Sequence, residues 1–227
     1  MKKAIGRSSG RPRGPVSSSL ILALAAASGM ASASAGSEAA SEAAAGARAV
    51  QQARPQQAAP QALPAGKQTT LGLYVTAREA YAMWKAAPDQ VKVLDVRTPE
   101  EFLFVGHPEM AWNVPLAAQT WAWDAEKGLF PMQPLPDFVA RVQTIARPDD
   151  TLLVTCRSGE RGARAVNALA QAGFKNAYNV TDGVEGDVLN APGSVFHGQR
   201  MVNGWKNSGL PWTYKVDPAR MVLPSGR

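Results

Sequence analysis

The chain contains a single cysteine, which stands beside residues that could make its thiol reactive. Cys156 follows an apolar run, and Arg157 and Arg161 come directly after it within VTCRSGERG, residues 154–162. Cationic side chains and the amides of a helix N-terminus favour the thiolate, which is the nucleophilic form of cysteine. These residue types at this spacing predict a sulfur nucleophile that faces an anion-binding loop.

A packing role is the alternative for this cysteine. Free cysteine is among the most often buried residue types, and a cysteine at the end of an apolar strand commonly belongs to the core. Arg157 and Arg161 could likewise be solvated surface residues. The arginine-rich continuation favours reactivity, because a packing cysteine needs no cationic loop. One cysteine cannot form an internal disulfide, so the thiol is either buried and inert or free for chemistry.

Strands that alternate with helices would place this cysteine at the edge of a sheet. The valine-rich residues 91–96 and the apolar residues 151–155 predict buried strands, and residues 177–180 predict another. Residues 161–173 have apolar positions at helical spacing. This alternation predicts an α/β domain with a central, mainly parallel sheet flanked by helices. Cys156 would then lie at the carboxyl end of a strand, where ligands bind in such sheets.

Two further helices are marked by their first turns. Thr76 with Glu79, and Thr98 with Glu101, form T-x-x-E capping boxes. Pro99 follows the second cap at the first helical position, which proline favours. The loop after Cys156 can turn its amides inward and, with the following helix N-terminus, form an anion cradle.

Four segments resemble the rhodanese family of sulfurtransferases. CRSGER is similar to that family's active-site loop, and three more segments match its motifs in order: LDVRTPEEF at 94–102, GHPEMAWNVP at 106–115 and NSGLPW at 207–212. The second segment departs from the usual pattern, since Pro108 comes early and Met110 stands where glycine is usual. The resemblance covers about residues 75–212 and implies a three-layer, rhodanese-like α/β fold.

The resemblance also implies an activity. Cys156 would take the outer sulfur of thiosulfate or a similar anionic donor as a persulfide and pass it to a thiophilic acceptor. That acceptor would be cyanide or a thiol, the thiol being a small molecule or a protein. Arg157 and Arg161 would be catalytic by orienting the donor and stabilising developing charge. No cofactor is implied, and substrate binding is assigned to Ser158, Gly159, Glu160 and Gly162.

Two loop residues are unusual for the family. Glu160 is a carboxylate in an anion-binding loop, so it either points outward or favours a cationic or thiol acceptor. Gly162 stands where the family often has serine or threonine, which implies that a hydroxyl contact is missing. Four residues separate Cys156 from Arg161, whereas related phosphatases have five, so sulfur transfer is favoured over phosphate-ester hydrolysis.

Asp95 and Arg97 follow the other long predicted strand. The resemblance implies that they brace the active loop through hydrogen bonds and an ion pair that could include Glu101. A helix-cap neighbour and a surface arginine are the simpler interpretation. A non-catalytic rhodanese-like module that binds partners or senses sulfur is the alternative function for the whole domain. The intact Cys156 argues against it, because inactive versions usually lose the cysteine.

Aromatic residues are concentrated in the middle of the predicted domain. Trp112, Trp121 and Trp123 cluster with Phe130, and such clusters more often belong to a core. The irregular segment 117–134 could instead overhang the site as a loop. No set of cysteine, histidine and carboxylate residues has metal-ligand spacing, so no metal is predicted.

The N-terminal sequence predicts export. A basic start, the apolar run LILALAAA at 20–27 and an A-x-A site at 33–35 are typical of a signal peptide over residues 1–35. An Ala-, Gln- and Pro-rich linker without structure is expected over 36–70, the folded domain over 71–214 and a tail over 215–227. A periplasmic or secreted protein without stable membrane insertion after cleavage follows from these features.

The net charge of +6 comes mostly from this leader. Five of the 24 basic residues precede the predicted cleavage site, so 19 basic and 18 acidic residues remain. A nearly neutral domain gives no support for a nucleic-acid partner.

Overall fold

The computed structural model describes residues 63–224, together with residues 41, 44–46, 48, 49, 51 and 52. The predicted signal peptide lies outside the described residues. The described residues between 41 and 52 have helical backbone, where the composition predicted a linker without structure. Alanine, arginine and glutamine are strong helix formers, which accounts for the local conformation. Among the described residues, no helix combines the length and the apolar character that a membrane span requires.

A five-stranded sheet forms the centre of the domain, and all of its strand pairs are parallel. The strands are β1 (Tyr74–Val75), β2 (Val91–Asp95), β4 (Trp112–Asn113), β7 (Thr151–Thr155) and β8 (Ala177–Val180). Their spatial order is β1-β8-β7-β2-β4. The two predicted long strands, β2 and β7, pair along their whole length at its centre.

Helices cover both faces of this sheet. Along β7, Leu153 packs into one buried cluster with Met83 and Trp205, whereas Leu152 and Val154 pack into the other. Successive side chains of a strand point to opposite faces, so the sheet is buried on both sides. The helices are α1 (Ala77–Ala86), α2 (Pro99–Val105), α3 (Phe138–Gln143), α4 (Glu160–Gln171) and α5 (Gly204–Asn207). The predicted three-layer α/β architecture is confirmed.

The helix starts agree with the sequence pattern. Thr76 Oγ1 accepts a hydrogen bond from the Glu79 amide, and the Glu79 carboxylate accepts one from the Thr76 amide. Thr98 and Glu101 exchange the same two bonds at the start of α2. Both capping boxes are therefore formed, which satisfies amides that a helix start leaves unpaired.

Two antiparallel pairs lie outside the main sheet. Strand β3 (His107–Pro108) pairs with β9 (Trp212–Thr213), and β5 (Ala117–Gln119) pairs with β6 (Met132–Pro134). The second pair forms a hairpin that carries Trp121 and Trp123, whose exposed fractions are 82% and 58%. The expectation of a core position is wrong for these two tryptophans, because the hairpin forms a separate two-stranded sheet and leaves both side chains exposed among the described residues.

The folded domain extends beyond both predicted limits. Before residue 71, the Thr70 amide donates to Asn167 Oδ1 at 2.8 Å and the Lys67 carbonyl accepts from Asn179 Nδ2 at 2.9 Å. After residue 214, the Val222 amide donates to the Asn113 carbonyl at 2.9 Å. Side-chain amides thus hold the segment that composition assigned to a linker, and a backbone hydrogen bond holds the segment that it assigned to a tail.

Candidate active site

Cys156 is the first residue after β7, at the carboxyl end of a central strand. Its side chain is only 2% exposed, and its sulfur accepts a hydrogen bond from the Gly159 amide at 3.1 Å. The thiol is therefore deep in the molecule but faces a backbone donor of its own loop. An N–H group that points at sulfur stabilises negative charge there.

The loop is held from behind by two backbone hydrogen bonds. The Val184 amide donates to the Cys156 carbonyl at 2.8 Å, and the Glu185 amide donates to the Arg157 carbonyl at 3.0 Å. With its carbonyls bound on that side, the loop can present its amides to the other side. The amides of Arg157 and Ser158 donate to no acceptor in the described part of the chain. These amides and the start of α4 can form an anion cradle.

Gly183 fits tightly against this loop. Its φ is +64°, and a Cβ built there would lie 2.5 Å from the Cys156 carbonyl oxygen and 2.6 Å from the Arg157 carbonyl carbon. Such distances require backbone movement. A side chain at this position would therefore push the loop out of place.

We expect Gly183→Ala to destabilise the protein by about 1–3 kcal/mol, since it adds a steric clash to an unfavourable φ. Urea unfolding would measure this loss. Gly173→Ala is the matched control, because Gly173 also has a positive φ of 91° but a Cβ there meets nothing within 4 Å. Equal losses of unfolding free energy in the two variants would show that the loop backbone accommodates the added Cβ without an energetic cost.

Arg161 is held by a carboxylate of α2. Its Nη1 and Nη2 each donate to one oxygen of Glu101 at 2.6 Å, and both side chains are mostly buried. This two-fold contact fixes the guanidinium plane and offsets its charge. Arg161 is thus a positioned cation at the site rather than a solvated helix residue.

The pair shifts the pKa of both groups. For Glu101, burial favours the neutral form, but the hydrogen bonds and charge of Arg161 outweigh it and lower the pKa of the carboxyl. For Arg161, burial opposes the charge, but Glu101 outweighs it and raises the pKa. Both groups therefore stay ionised at neutral pH.

A carboxyl group with a lowered folded pKa stabilises the fold above its unfolded pKa of about 4.3, and that contribution is lost as pH falls through the folded value. We therefore expect the difference in unfolding free energy between wild type and Glu101→Gln to shrink once pH falls below about 4.3. Urea unfolding across this range would measure it. Glu100→Gln is the control, since exposed Glu100 has no ion pair among the described residues. A difference independent of pH would contradict an ionised Glu101.

Asp95 and Arg97 form a second, fully buried ion pair. Arg97 Nη2 donates to Asp95 Oδ2 at 2.6 Å, and Nε lies 3.0 Å from both carboxylate oxygens. Although burial opposes its charge, Asp95 raises the pKa of Arg97. Arg97 Nη1 also lies 3.6 Å from Glu185 Oε1, and Glu185 binds the active loop through its amide. Through Glu185, Arg97 is thus connected to the active loop. The Glu101 carboxylate forms its ion pair with Arg161 and acts on Arg97 only through its charge.

A cavity of about 210 Å³ opens in front of the sulfur. It is lined by Met132, Cys156, Arg157, Ser158, Glu160, Arg161 and Arg164. Arg157, Glu160 and Arg164 are exposed at its rim. Five predicted residues, Cys156 with Arg157, Ser158, Glu160 and Arg161, are therefore brought together around one space.

Other predicted residues act from outside the cavity. Gly159 lies behind its wall and contributes its amide to the sulfur. Gly162 faces Asn179 instead, and a Cβ there would lie 2.5 Å from Asn179 Oδ1. A larger residue at this position would need a different neighbour, which accounts for glycine where a hydroxyl residue is usual.

The sequence pattern missed two cavity residues. Arg164 lies three positions after Arg161 on α4, and helical spacing alone puts these two residues on one face. The sequence therefore contained a signal that could have identified Arg164. Met132 arrives from the β5–β6 hairpin, and its sulfur lies 3.6 Å from Arg161 Nη1. No local pattern connects these two segments.

Comparison with known proteins gives a consistent set of matches. The model of the Rhodanese-like domain family matches residues 76–188. Thiosulfate sulfurtransferase 16, chloroplastic, of Arabidopsis thaliana is 36% identical, and the match covers 40% of this chain and 69% of that protein. An uncharacterized protein of Rickettsia prowazekii is 30% identical over 54% of this chain and 82% of its own length. The crystal structure of Rv0390 from M. tuberculosis is 28% identical, with a TM-score of 0.48 over 62% of this chain and 96% of that one.

Proposed function

The chain belongs to the family of rhodanese-like domain proteins, and from that premise we propose that it is a sulfurtransferase with Cys156 as the sulfur carrier. The observation that carries the proposal is the position of the thiol. Its sulfur accepts a hydrogen bond from the Gly159 amide, and Cys156 lines a cavity together with three arginines. A structural cysteine needs neither the donor nor the cations.

The donor step transfers one sulfur atom to Cys156. The Cys156 thiolate attacks the outer sulfur of thiosulfate, the S–S bond of the donor breaks, and sulfite leaves with the electron pair of that bond. The product is a persulfide anion on Cys156. Its charge would lie beside the Gly159 amide and the start of α4, which are preorganised to stabilise it.

The acceptor step returns the enzyme to its starting state. Cyanide or a thiolate attacks the outer sulfur of the persulfide, the S–S bond to Cys156 breaks, and Cys156 leaves as a thiolate. No metal or redox cofactor is required by this balance, because the transferred sulfur keeps its oxidation level.

The two catalytic arginines would have different roles. Arg161 is fixed and partly neutralised by Glu101, so it would set the geometry of the donor without binding it tightly. Arg157 is exposed and forms no ion pair within residues 63–224, which leaves its charge available to draw an anion toward the cavity. The described geometry therefore supports an anionic donor.

Steady-state turnover tests the proposal. With thiosulfate and cyanide as substrates, the protein should form thiocyanate and sulfite in equal amounts. A binding or sensing module would bind thiosulfate without releasing sulfite. Sulfite without thiocyanate, or hydrolysis of an aryl phosphate at a higher rate than sulfur transfer, would contradict the proposed function.

A further inference from the structure

The hairpin beside the cavity exposes a large apolar surface. We define the aromatic hairpin as residues 117–134. Its exposed apolar side chains are Trp121, Trp123, Leu129, Phe130 and Met132. The two tryptophans both pack edge-on against Phe130, with ring centroids 6.4 and 5.2 Å apart. Contiguous exposed aromatic surface of this kind is typical of a protein interaction site.

The register of the hairpin connects this surface to the cavity. Gln119 pairs with Met132, and Met132 lines the cavity next to Arg161. Phe130 lies two residues before Met132, outside β6, so the two residues are at most about 7 Å apart along the chain. The apolar surface thus begins at the cavity mouth and extends outward from it.

Charged side chains complete the rim. Arg157 and Arg164 are exposed, line the cavity and form no ion pair within residues 63–224. Glu160 is the acidic residue of this rim, so cations are in excess. Tryptophan and arginine are the residue types that most often dominate binding energy at interfaces.

We propose that the aromatic hairpin and the Arg157–Arg164 rim form a docking surface for a protein thiol, the cysteine of a partner that carries acidic and apolar residues. This inference rests on the proposed function, since the partner would be the sulfur acceptor. A small acceptor such as cyanide reaches the sulfur without touching the hairpin. A cysteine on a protein must be brought in by surface contacts, and these lie at the cavity mouth.

The charges of the surface argue against two other occupants. A second copy of the chain would bring two cationic rims together, which costs binding energy through like-charge repulsion. A lipid surface would have to accept the hairpin tip, where Asp124 and Glu126 outnumber Lys127. Anionic headgroups repel such a tip. A partner whose acidic residues face Arg157 and Arg164 and whose apolar residues face the tryptophans complements both parts of the surface.

The transfer step would be balanced without an added oxidant. The partner cysteine attacks the outer sulfur of the Cys156 persulfide as a thiolate. A bond forms between the partner sulfur and the outer sulfur, and the S–S bond to Cys156 breaks. Cys156 leaves as a thiolate with the electron pair of that bond, and the partner acquires a persulfide anion. The proton of the partner thiol has gone to solvent, so charge is conserved.

Two short synthetic peptides test this inference. Each carries one cysteine between leucine and phenylalanine, flanked by glutamates in one peptide and by lysines in the other. Persulfidated protein is mixed with each peptide, and the rate of sulfur transfer is followed by mass. Nearby glutamates disfavour the thiolate, which is the reactive form of cysteine, so the acidic peptide should react more slowly if chemistry alone decided the rate. A faster reaction of the acidic peptide would therefore reflect docking.

We expect the acidic peptide to react about tenfold faster than the basic one, which corresponds to the usual contribution of a complementary charged surface. The double substitution Trp121→Ser and Trp123→Ser removes the apolar contact offered to both peptides, so it should slow transfer to the acidic peptide about tenfold and leave transfer to cyanide unchanged. Tyr214→Ser is the matched control, since Tyr214 is 58% exposed and lies outside the hairpin.

Several results would overturn the inference. The acidic preference could be absent, or the double variant could transfer sulfur to the acidic peptide as fast as wild type does. The double substitution could instead abolish a dimer in sedimentation, or binding to vesicles of phosphatidylcholine and phosphatidylglycerol, with peptide transfer unchanged. If wild type forms no persulfide with thiosulfate, the proposed function fails separately. In that case, binding of the two peptides is measured by tryptophan fluorescence, and tighter binding of the acidic peptide would still support the docking surface.

Discussion

Replacing Cys156 with serine will reduce sulfur transfer from thiosulfate to cyanide by at least about 10³-fold, because the covalent intermediate can no longer form. Serine has nearly the volume of cysteine. Its hydroxyl oxygen can accept the hydrogen bond that the Gly159 amide donates to the sulfur in wild type. The variant should therefore fold normally. Initial rates of thiocyanate formation, together with circular dichroism, measure the two effects.

The loss has a built-in control for other nucleophiles. Cys156 is the one cysteine of the sequence, so no second thiol can replace it. A Cys156→Ser protein that keeps more than about one tenth of the wild-type rate would show that the chemistry runs through another group. Loss of the native circular dichroism spectrum would instead identify a folding defect, and Cys156→Ala would then separate the two.

Replacing Asp95 with alanine will destabilise the fold by about 3–5 kcal/mol, because it leaves the Arg97 guanidinium as a buried charge without its main partner. Both side chains are fully buried, and the Asp95 carboxylate accepts hydrogen bonds from the side chain and the backbone amide of Arg97. The effect should also reach catalysis, since Arg97 contacts Glu185 behind the active loop. Urea unfolding measures the loss of stability.

An exposed ion pair provides the matched control. Asp149 and Lys175 lie 3.1 Å apart on the surface, with both side chains mostly exposed. Asp149→Ala should have a much smaller effect than Asp95→Ala, because water and salt screen such a pair. Similar losses for the two variants would mean that the buried pair contributes no more than a surface one.

The local parts of the site could be predicted from the sequence because they depend on neighbouring residues. The strand before Cys156, the loop and the helix after it follow from an apolar run, a glycine and helical spacing. The capping boxes at Thr76 and Thr98 are encoded within four residues each. Short-range signals of this kind need no knowledge of the tertiary fold.

The tertiary parts could not be predicted in the same way. Glu101 and Arg161 are 60 residues apart, on helices that pack into different buried clusters, and only the tertiary fold decides that they pair. The aromatic hairpin shows the same limit, because apolar composition suggested a core position for Trp121. Apolar residue types indicate that burial is favourable. They do not indicate whether that burial occurs in the core of the chain or against a partner.

The central claim is that the Cys156 thiol is a sulfur carrier, and the mass of the protein after incubation with thiosulfate tests it most directly. Without reducing agent, the intact protein should gain one sulfur atom, about 32 Da, as expected for a covalent intermediate. Peptide mapping should place the gain on Cys156, and cyanide should remove it. An unchanged mass, or a gain that survives cyanide, would contradict the account.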